Sequence, residues 1–428
     1  MTCSTRPPGR QAGPRDPRAA TGRGVPLAAI LSIVGLLVVA LGTLSLSSGN
    51  LPLPVSGGQG PDSSGNPGVA TKTATPPNVV VVPTVVPGID VPGTLLYAKD
   101  GNIWVQANGS ATQVTSGSRD SMPSFAPDGS TIYFVRTRPV KGRWNVGGVT
   151  RDFVMDVPSL MAVPITGGAA TLVLDGLVDP AGSLKWMGFI QDPVLSPNGR
   201  TIAMASDLPN PNTSEVVIKT YDLRTKKITD PHLSEVAPLG HQDPAWRPDG
   251  LRLAYVRNDR DGAKGIPRIY LYNPATKNAS PITGPGYLHP SWSPDGRYLA
   301  VTRTNAFGTD VAILDAGTGA ELLRLTDDGD SWAPVWSPRG DQIAFLHVAD
   351  QVVDLRMVQL DGTGPTWTVK DTIDLTTNAG LDGVSRPGWF VPANQLLTPA
   401  PTTALTTALT TAPAATPTAA PTVAPSVP

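Results

Sequence analysis

Pro290-Ser291-Trp292-Ser293-Pro294-Asp295-Gly296 is the stretch whose reading decides the fold. In Ser293-Pro294-Asp295-Gly296 the proline presets φ at the second place. The glycine takes a backbone region that residues with a Cβ resist, so the four residues make a tight β-turn. Strand-forming residues flank it, with Trp292 before the turn and Tyr298-Leu299-Ala300-Val301 after it. The phrase therefore predicts a hairpin: strand, turn, strand.

Four more copies stand at residues 123–129 (PSFAPDG), 193–199 (PVLSPNG), 244–250 (PAWRPDG) and 334–340 (PVWSPRG), each followed by an apolar, strand-like run. The leading prolines are 70, 51, 46 and 44 residues apart. Between the phrases lie further strand-like pieces, such as residues 215–221, 268–272 and 310–314, and short closing pieces such as 323–326. That makes four strands per repeat, and four-stranded units of about 40–50 residues are the blades of a β-propeller. No helical period of useful length appears between residues 93 and 392.

The sixth blade is divided between the two ends of this region. Arg386-Pro387-Gly388-Trp389-Phe390 opens like the phrase and then stops, while residues 94–98, 102–106 and 111–115 read as three strands lacking a first. Joining them completes a blade, closes the ring and removes the open edge. Within the long interval from 123 to 193, residues 136–158 lack the phrase and read as an insertion on one face rather than a seventh blade. The expected fold class is all-β: a six-bladed β-propeller over residues 93–392, closed by strands from both ends.

The five phrases resemble the PD40, or WD40-like, propeller repeats of the TolB family. The resemblance spans residues 93–392 and implies the propeller without implying one activity. Residues 1–92 do not resemble the small α/β domain that precedes the propeller in TolB, so a Tol–Pal role does not follow.

The flanks are of another kind. Residues 1–24 carry Arg6, Arg10, Arg15, Arg18 and Arg23 against Asp16 alone, and residues 25–47 run without a charge. About 20 apolar residues span the roughly 30 Å of a bilayer's hydrocarbon. The run exceeds a signal-peptide core and lacks a small-x-small cleavage site, so it predicts one uncleaved transmembrane helix. With the arginines before it, the positive-inside rule puts residues 1–24 in the cytoplasm and everything after the helix outside. Residues 48–93 hold nine prolines, eight glycines and three charges, and residues 48–92 predict a disordered stalk. Residues 393–428 are rich in Thr, Ala and Pro and read as a disordered tail, either bare or carrying O-linked sugar.

Composition removes several chemistries. The net charge of −1 gives no electrostatic footing for nucleic acid. The only cysteine, Cys3, precedes the apolar run, so the propeller region has neither disulfides nor thiol catalysis. No phosphate-binding loop, zinc-protease or nucleophile-elbow motif occurs. Gly329-Asp330-Ser331-Trp332 resembles an esterase nucleophile block but reads as the polar start of a strand. Related propellers often carry a C-terminal serine-peptidase domain, and fewer than 40 residues follow Phe390 here. Two acidic clusters raise calcium. Residues 257–262 put Arg257 at the first ligand place and lack the closing glutamate of an EF-hand, and residues 327–330 read as a solvated turn. No cofactor is expected, calcium in the channel being the one metal considered.

One constellation does suggest a site. The residues preceding each repeat proline hold equivalent places at the innermost strands, which puts Asp192, Asp243, His289 and Arg386 around one opening with His241 and Asp330 close by. Convergent charges at a concave rim suggest ligand binding; the plainer reading is polar strand starts around a water-filled channel. The sequence thus predicts a non-enzymatic module at the cell membrane that binds an envelope protein, a peptide or a glycan. A metal-dependent, lactonase-like hydrolase using Asp192, Asp243 and Asp330 is the alternative.

Overall fold

The computed structural model describes residues 84–87, 89, 91–146, 148–178, 185–211, 213–236, 240–261 and 264–396. The expected cytoplasmic tail, transmembrane helix, most of the stalk and most of the C-terminal tail lie outside these residues. Among the described residues no helix is long and apolar enough to cross a membrane.

Six four-stranded antiparallel sheets form the blades. Blade 1 combines Gly388–Phe390 with Thr94–Lys99, Asn102–Ala107 and Ser110–Gln113, so the ring is closed by strands from both ends, as the sequence predicts. Blades 2 to 6 are plain meanders whose innermost strands are Asp120–Phe125, Gln191–Leu195, His241–Trp246, Tyr287–Trp292 and Ser331–Trp336.

The turn phrase behaves as its chemistry requires. Gly296 has φ 68° and its N–H donates to the Ser293 carbonyl at 2.9 Å, while the Asp295 carboxylate accepts the Arg297 N–H at 3.1 Å. The same glycine-to-carbonyl bond recurs at Gly129, Gly199, Gly250 and Gly340. These turns, together with those joining third and fourth strands, share one end of the ring, here the turn face. The connections between second and third strands lie at the opposite end.

The core is divided among the seams. Six clusters of buried apolar residues each draw on two neighbouring blades, for example Leu96, Ile103, Ile132 and Phe134 between blades 1 and 2. A pleated blade is apolar on both faces, so each must be covered by its neighbour, and only a closed ring covers them all. The seam of blades 6 and 1 has an extra filling. Thr84–Val85 pairs with Thr376–Thr377, and Ile89 and Val91 pack on the core of that seam.

The insertion is a hairpin arm. Thr131–Val146 and Val149–Pro164 stay paired beyond the rest of blade 2, away from the turn face.

Candidate functional site

A repeated irregularity builds the channel. In blades 2 to 6 the ladder between the first and second strands slips at the residue before the repeat proline. Proline has no N–H to give the ladder, so pairing breaks there and a bulge re-aims the side chain. Met122, Asp192, Asp243, His289 and Ala333 accordingly take φ between 48° and 54°. In blade 1 Arg386 holds the matching place before Pro387.

Much of this ring of positions is linked by hydrogen bonds from each backbone to the side chain one blade back. The Asp192 N–H donates to the Met122 sulfur at 3.5 Å, the Asp243 N–H to the Asp192 carboxylate, and the His289 N–H to Asp243 Oδ2 at 3.0 Å. The Ala333 N–H donates to Thr302 Oγ1 at 2.9 Å, and that hydroxyl shares a 3.0 Å hydrogen bond with His289 Nδ1. The Met122 N–H donates to Ser385 Oγ at 2.8 Å. Arg386 instead reaches from blade 1 to the opposite blade. Its Nη2 donates to the Pro244 carbonyl at 3.0 Å, and its Nε lies 3.9 Å from Asp192 Oδ1.

The electrostatics follow from burial. Removal from water pushes the Asp192 carboxyl up to about 6; Arg386 opposes that rise and Asp243 adds to it. Burial lowers the affinity of His289 for a proton, with Asp243, 3.8 Å from its Nε2, pulling the other way. The channel thus carries two close carboxyls, Asp192 beside the Arg386 guanidinium and Asp243 beside His289.

From this plug a funnel of about 550 Å³ opens on the turn face. All six repeat prolines line it: Pro123, Pro193, Pro244, Pro290, Pro334 and Pro387. With them stand Phe125, Leu195, Trp246, Trp292 and Trp336, the third residues of the five phrases, and Trp389 and Phe390 of blade 1. Asp192 and Arg386 complete the wall at the inner end. The result is an apolar, rigid-walled cup with a charged floor, since proline and aromatic side chains have few rotamers to lose on binding.

The structure therefore brings together Asp192, Asp243, His289 and Arg386, inside the channel rather than at its rim. It does not bring in the other two. His241 is 3% exposed and sits in the seam of blades 3 and 4. Its Nδ1 accepts the Ile218 N–H at 3.2 Å, its Nε2 meets the Ser234 carbonyl at 2.9 Å, and its ring packs on Tyr255. His241 keeps its regular pairing with Arg257 while Asp243 falls inside the bulge, so their side chains leave the strand in different directions. Asp330 is exposed in the loop before its strand, and its carbonyl accepts the Val348 N–H. Sequence reading missed the relay hydroxyl of Thr302, which falls outside the repeated phrase, and did not assign the bond from the Met122 N–H to Ser385, the residue beside Arg386. It also missed Ala333, whose equivalence to Asp243 was available in its place before Pro334.

Ser331 is fully buried. Its Oγ donates to Asp328 at 3.0 Å and meets His347 Nδ1 at 3.1 Å, and that same nitrogen is the one 3.4 Å from Asp328. In a catalytic triad the serine and the acid use opposite nitrogens of the ring, so this is a strand-start cluster, as the sequence predicts. Among the described residues no group of three or more His, Asp or Glu is placed to hold a metal ion. Asp259 pairs with both Arg257 and Arg268.

His241 carries a pH prediction. Burial lowers its pKa from 6.5 to about 4. Below pH 6.5 the unfolded chain takes up a proton there that the folded chain refuses until about pH 4, so stability falls across that window. The lost stability is about 3 kcal/mol. Replacing His241 by glutamine should flatten the urea-unfolding free energy between pH 6.5 and 4; an unchanged slope would refute the assignment.

The comparisons agree with this fold. Residues 180–375 match the family described as PD40, TolB beta propeller domain. TolB from Acinetobacter baumannii superimposes with a TM-score of 0.50 at 19% identity, over 69% of this chain and 66% of that one. This chain thus spans just under two thirds of that protein's length. The putative TolB from Agrobacterium tumefaciens gives 0.47 at 14% identity, over 72% and 96%. A chain of the nidogen/laminin complex gives 0.47 at 13%, over 69% and 97%. No curated protein matches the sequence. The chain carries a TolB-like six-bladed propeller, and at these identities the likeness concerns fold alone.

Proposed function

We propose that this chain is a non-catalytic binding module, anchored in the cell membrane by residues 25–47, whose funnel receives a segment of a partner protein outside the cytoplasm. The observation that carries the reading is the funnel itself: a concave apolar wall of prolines and aromatics above one half-buried guanidinium and carboxyl. Such a surface favours an apolar peptide segment with one polar group reaching the floor. The direction of the chain supports the placement. Thr84–Val85 pairs with Thr376–Thr377 at the end of the ring opposite the funnel, so a stalk attached there leaves the funnel mouth clear for a partner. A hydrolase that holds a metal between Asp192 and Asp243 is the weaker reading, because Arg386 already supplies positive charge beside Asp192.

The experiment starts by removing the chain's single natural cysteine. In a Cys3→Ser background, a cysteine is introduced at Leu396 on the funnel wall or at Val154 on the arm, both exposed, at 41% and 62%. A membrane-impermeant photo-crosslinking maleimide is then applied to intact cells. Capture of one protein from position 396 and not from 154 is expected. No labelling of intact cells, or the same capture from both positions, would overturn the proposal.

A further inference from the structure

A second concavity, of about 640 Å³, opens on the turn face between blades 4 and 5. It borders the funnel through Trp292 but contains none of the channel charges. We infer that this groove binds a sugar bearing a carboxylate or phosphate group.

Three arginines meet there, and the repeat explains how. The first residue of the turn is serine in blades 3, 5 and 6, but Arg247 in blade 4. Its side chain lies over Gly296 of the next blade's turn, where an added Cβ would stand 3.0 Å from its Cγ. Arg252 leaves the same turn and Arg297 follows Gly296. Arg247 is paired with Asp249 through Nε at 2.8 Å and Nη2 at 2.5 Å. The other two lack such a partner: among the described residues no carboxylate lies within ion-pair distance of Arg252 or Arg297. The one acid on the wall, Asp315, spends Oδ1 on its own turn, accepting from the N–H groups of Gly317 and Thr318 and from the Thr318 hydroxyl. The groove thus gathers three guanidinium groups against two carboxylates, Asp249 paired with Arg247 and Asp315 within the field of Arg297, which leaves Arg252 without an acid, and planar guanidinium forks fit carboxylate and phosphate.

The rest of the wall argues for a sugar rather than a bare anion. Asn273, Asn278, Thr276 and Ser280 present amides and hydroxyls along one side. The Asn273 carbonyl accepts the Ala275 and Thr276 N–H groups, which leaves its amide NH₂ as a donor. Leu271, Ile282 and Trp292 make an apolar floor suited to the C–H face of a pyranose. A simple anion would use the arginines and leave both of these features unoccupied.

The test is equilibrium binding to the purified full chain, read by titration calorimetry with glucuronate, glucose 6-phosphate, glucose and inorganic phosphate. At least one acidic sugar is expected to bind tenfold or more tightly than both glucose and phosphate, and which one does so identifies the acid group. Arg252→Gln with Arg297→Gln should weaken that binding at least tenfold. If that pair lowers the melting temperature, the Lys pair at the same positions serves instead; it keeps the charge, loses the bidentate fork and should weaken binding severalfold. Equal binding of glucose, equal binding of phosphate alone, no binding of either acidic sugar, or unchanged affinity in a folded variant each overturns the inference. None of these results bears on the funnel, so failure here leaves that proposal standing.

Discussion

Replacing Trp389 by alanine is expected to cost about 3–5 kcal/mol of stability, the usual range for deleting a buried indole. The effect should also be local at first. Trp389 is 7% exposed in the seam of blades 6 and 1, and its Nε1–H donates to the Pro92 carbonyl at 2.8 Å. It belongs to the three-residue strand Gly388–Phe390, which pairs with Thr94–Leu96 and is the sole first strand of blade 1. Every other blade is a continuous meander, held by short-range turns. Blade 1 instead joins residues about 300 apart, so its closure must overcome a large loop entropy with few contacts. Urea denaturation should show the midpoint falling, and hydrogen exchange should rise first in residues 94–113. A stability change below about 1 kcal/mol would mean that Trp389 does not hold the closing strand in the ring.

Removing the guanidinium of Arg386 should be as costly at neutral pH and nearly harmless in acid. Arg386→Met leaves Asp192 beside Asp243 without the cation that opposes its charge, and breaking such an arrangement costs about 3–5 kcal/mol. The sign with pH is set by Asp192. Its folded pKa, raised from 3.8 to about 6, means that its contribution is most favourable below 3.8 and is lost as pH rises through 6. A protonated Asp192 needs no counter-charge. Wild type and Arg386→Met should therefore converge as pH falls from 7 towards 4, and diverge again on return. Adding Asp192→Asn to the methionine variant should recover most of the deficit at pH 7 by removing the charge that Arg386 balances. Melting temperatures of the three proteins at pH 4, 5.5 and 7 decide the matter. A deficit of equal size at all three pH values would show that Arg386 acts through packing alone.

The two residues also show where sequence reading stops. Asp243 and His241 are two apart in one phrase, and both look like candidates for the channel. The backbone slips at Asp243 and Pro244, Asp243 at φ 54° turns into the ring, and His241, still paired with Arg257, stays in the seam. The slip arises because Pro244 cannot donate to its neighbour strand, which is legible, but the direction of each side chain around the slip is not. Arg386 is a stronger case. Its place before Pro387 puts it on blade 1, and nothing in that place says that its guanidinium ends on the Pro244 carbonyl of the blade across the ring.

By itself the sequence determined the architecture: the repeated turn, the six blades, the blade split between the two ends of residues 93–392, and the presence of an insertion at residues 136–158. These follow from local chemistry, since proline and glycine place a turn whatever surrounds it and alternation places strands beside it. Only the tertiary structure decided the sites. The proline and aromatic funnel, the Arg386 plug and the three-arginine groove are each assembled from several blades, at distances that depend on closing the ring. Local propensity acts over a few residues, whereas the energies of these sites depend on burial and on charges brought together across the fold.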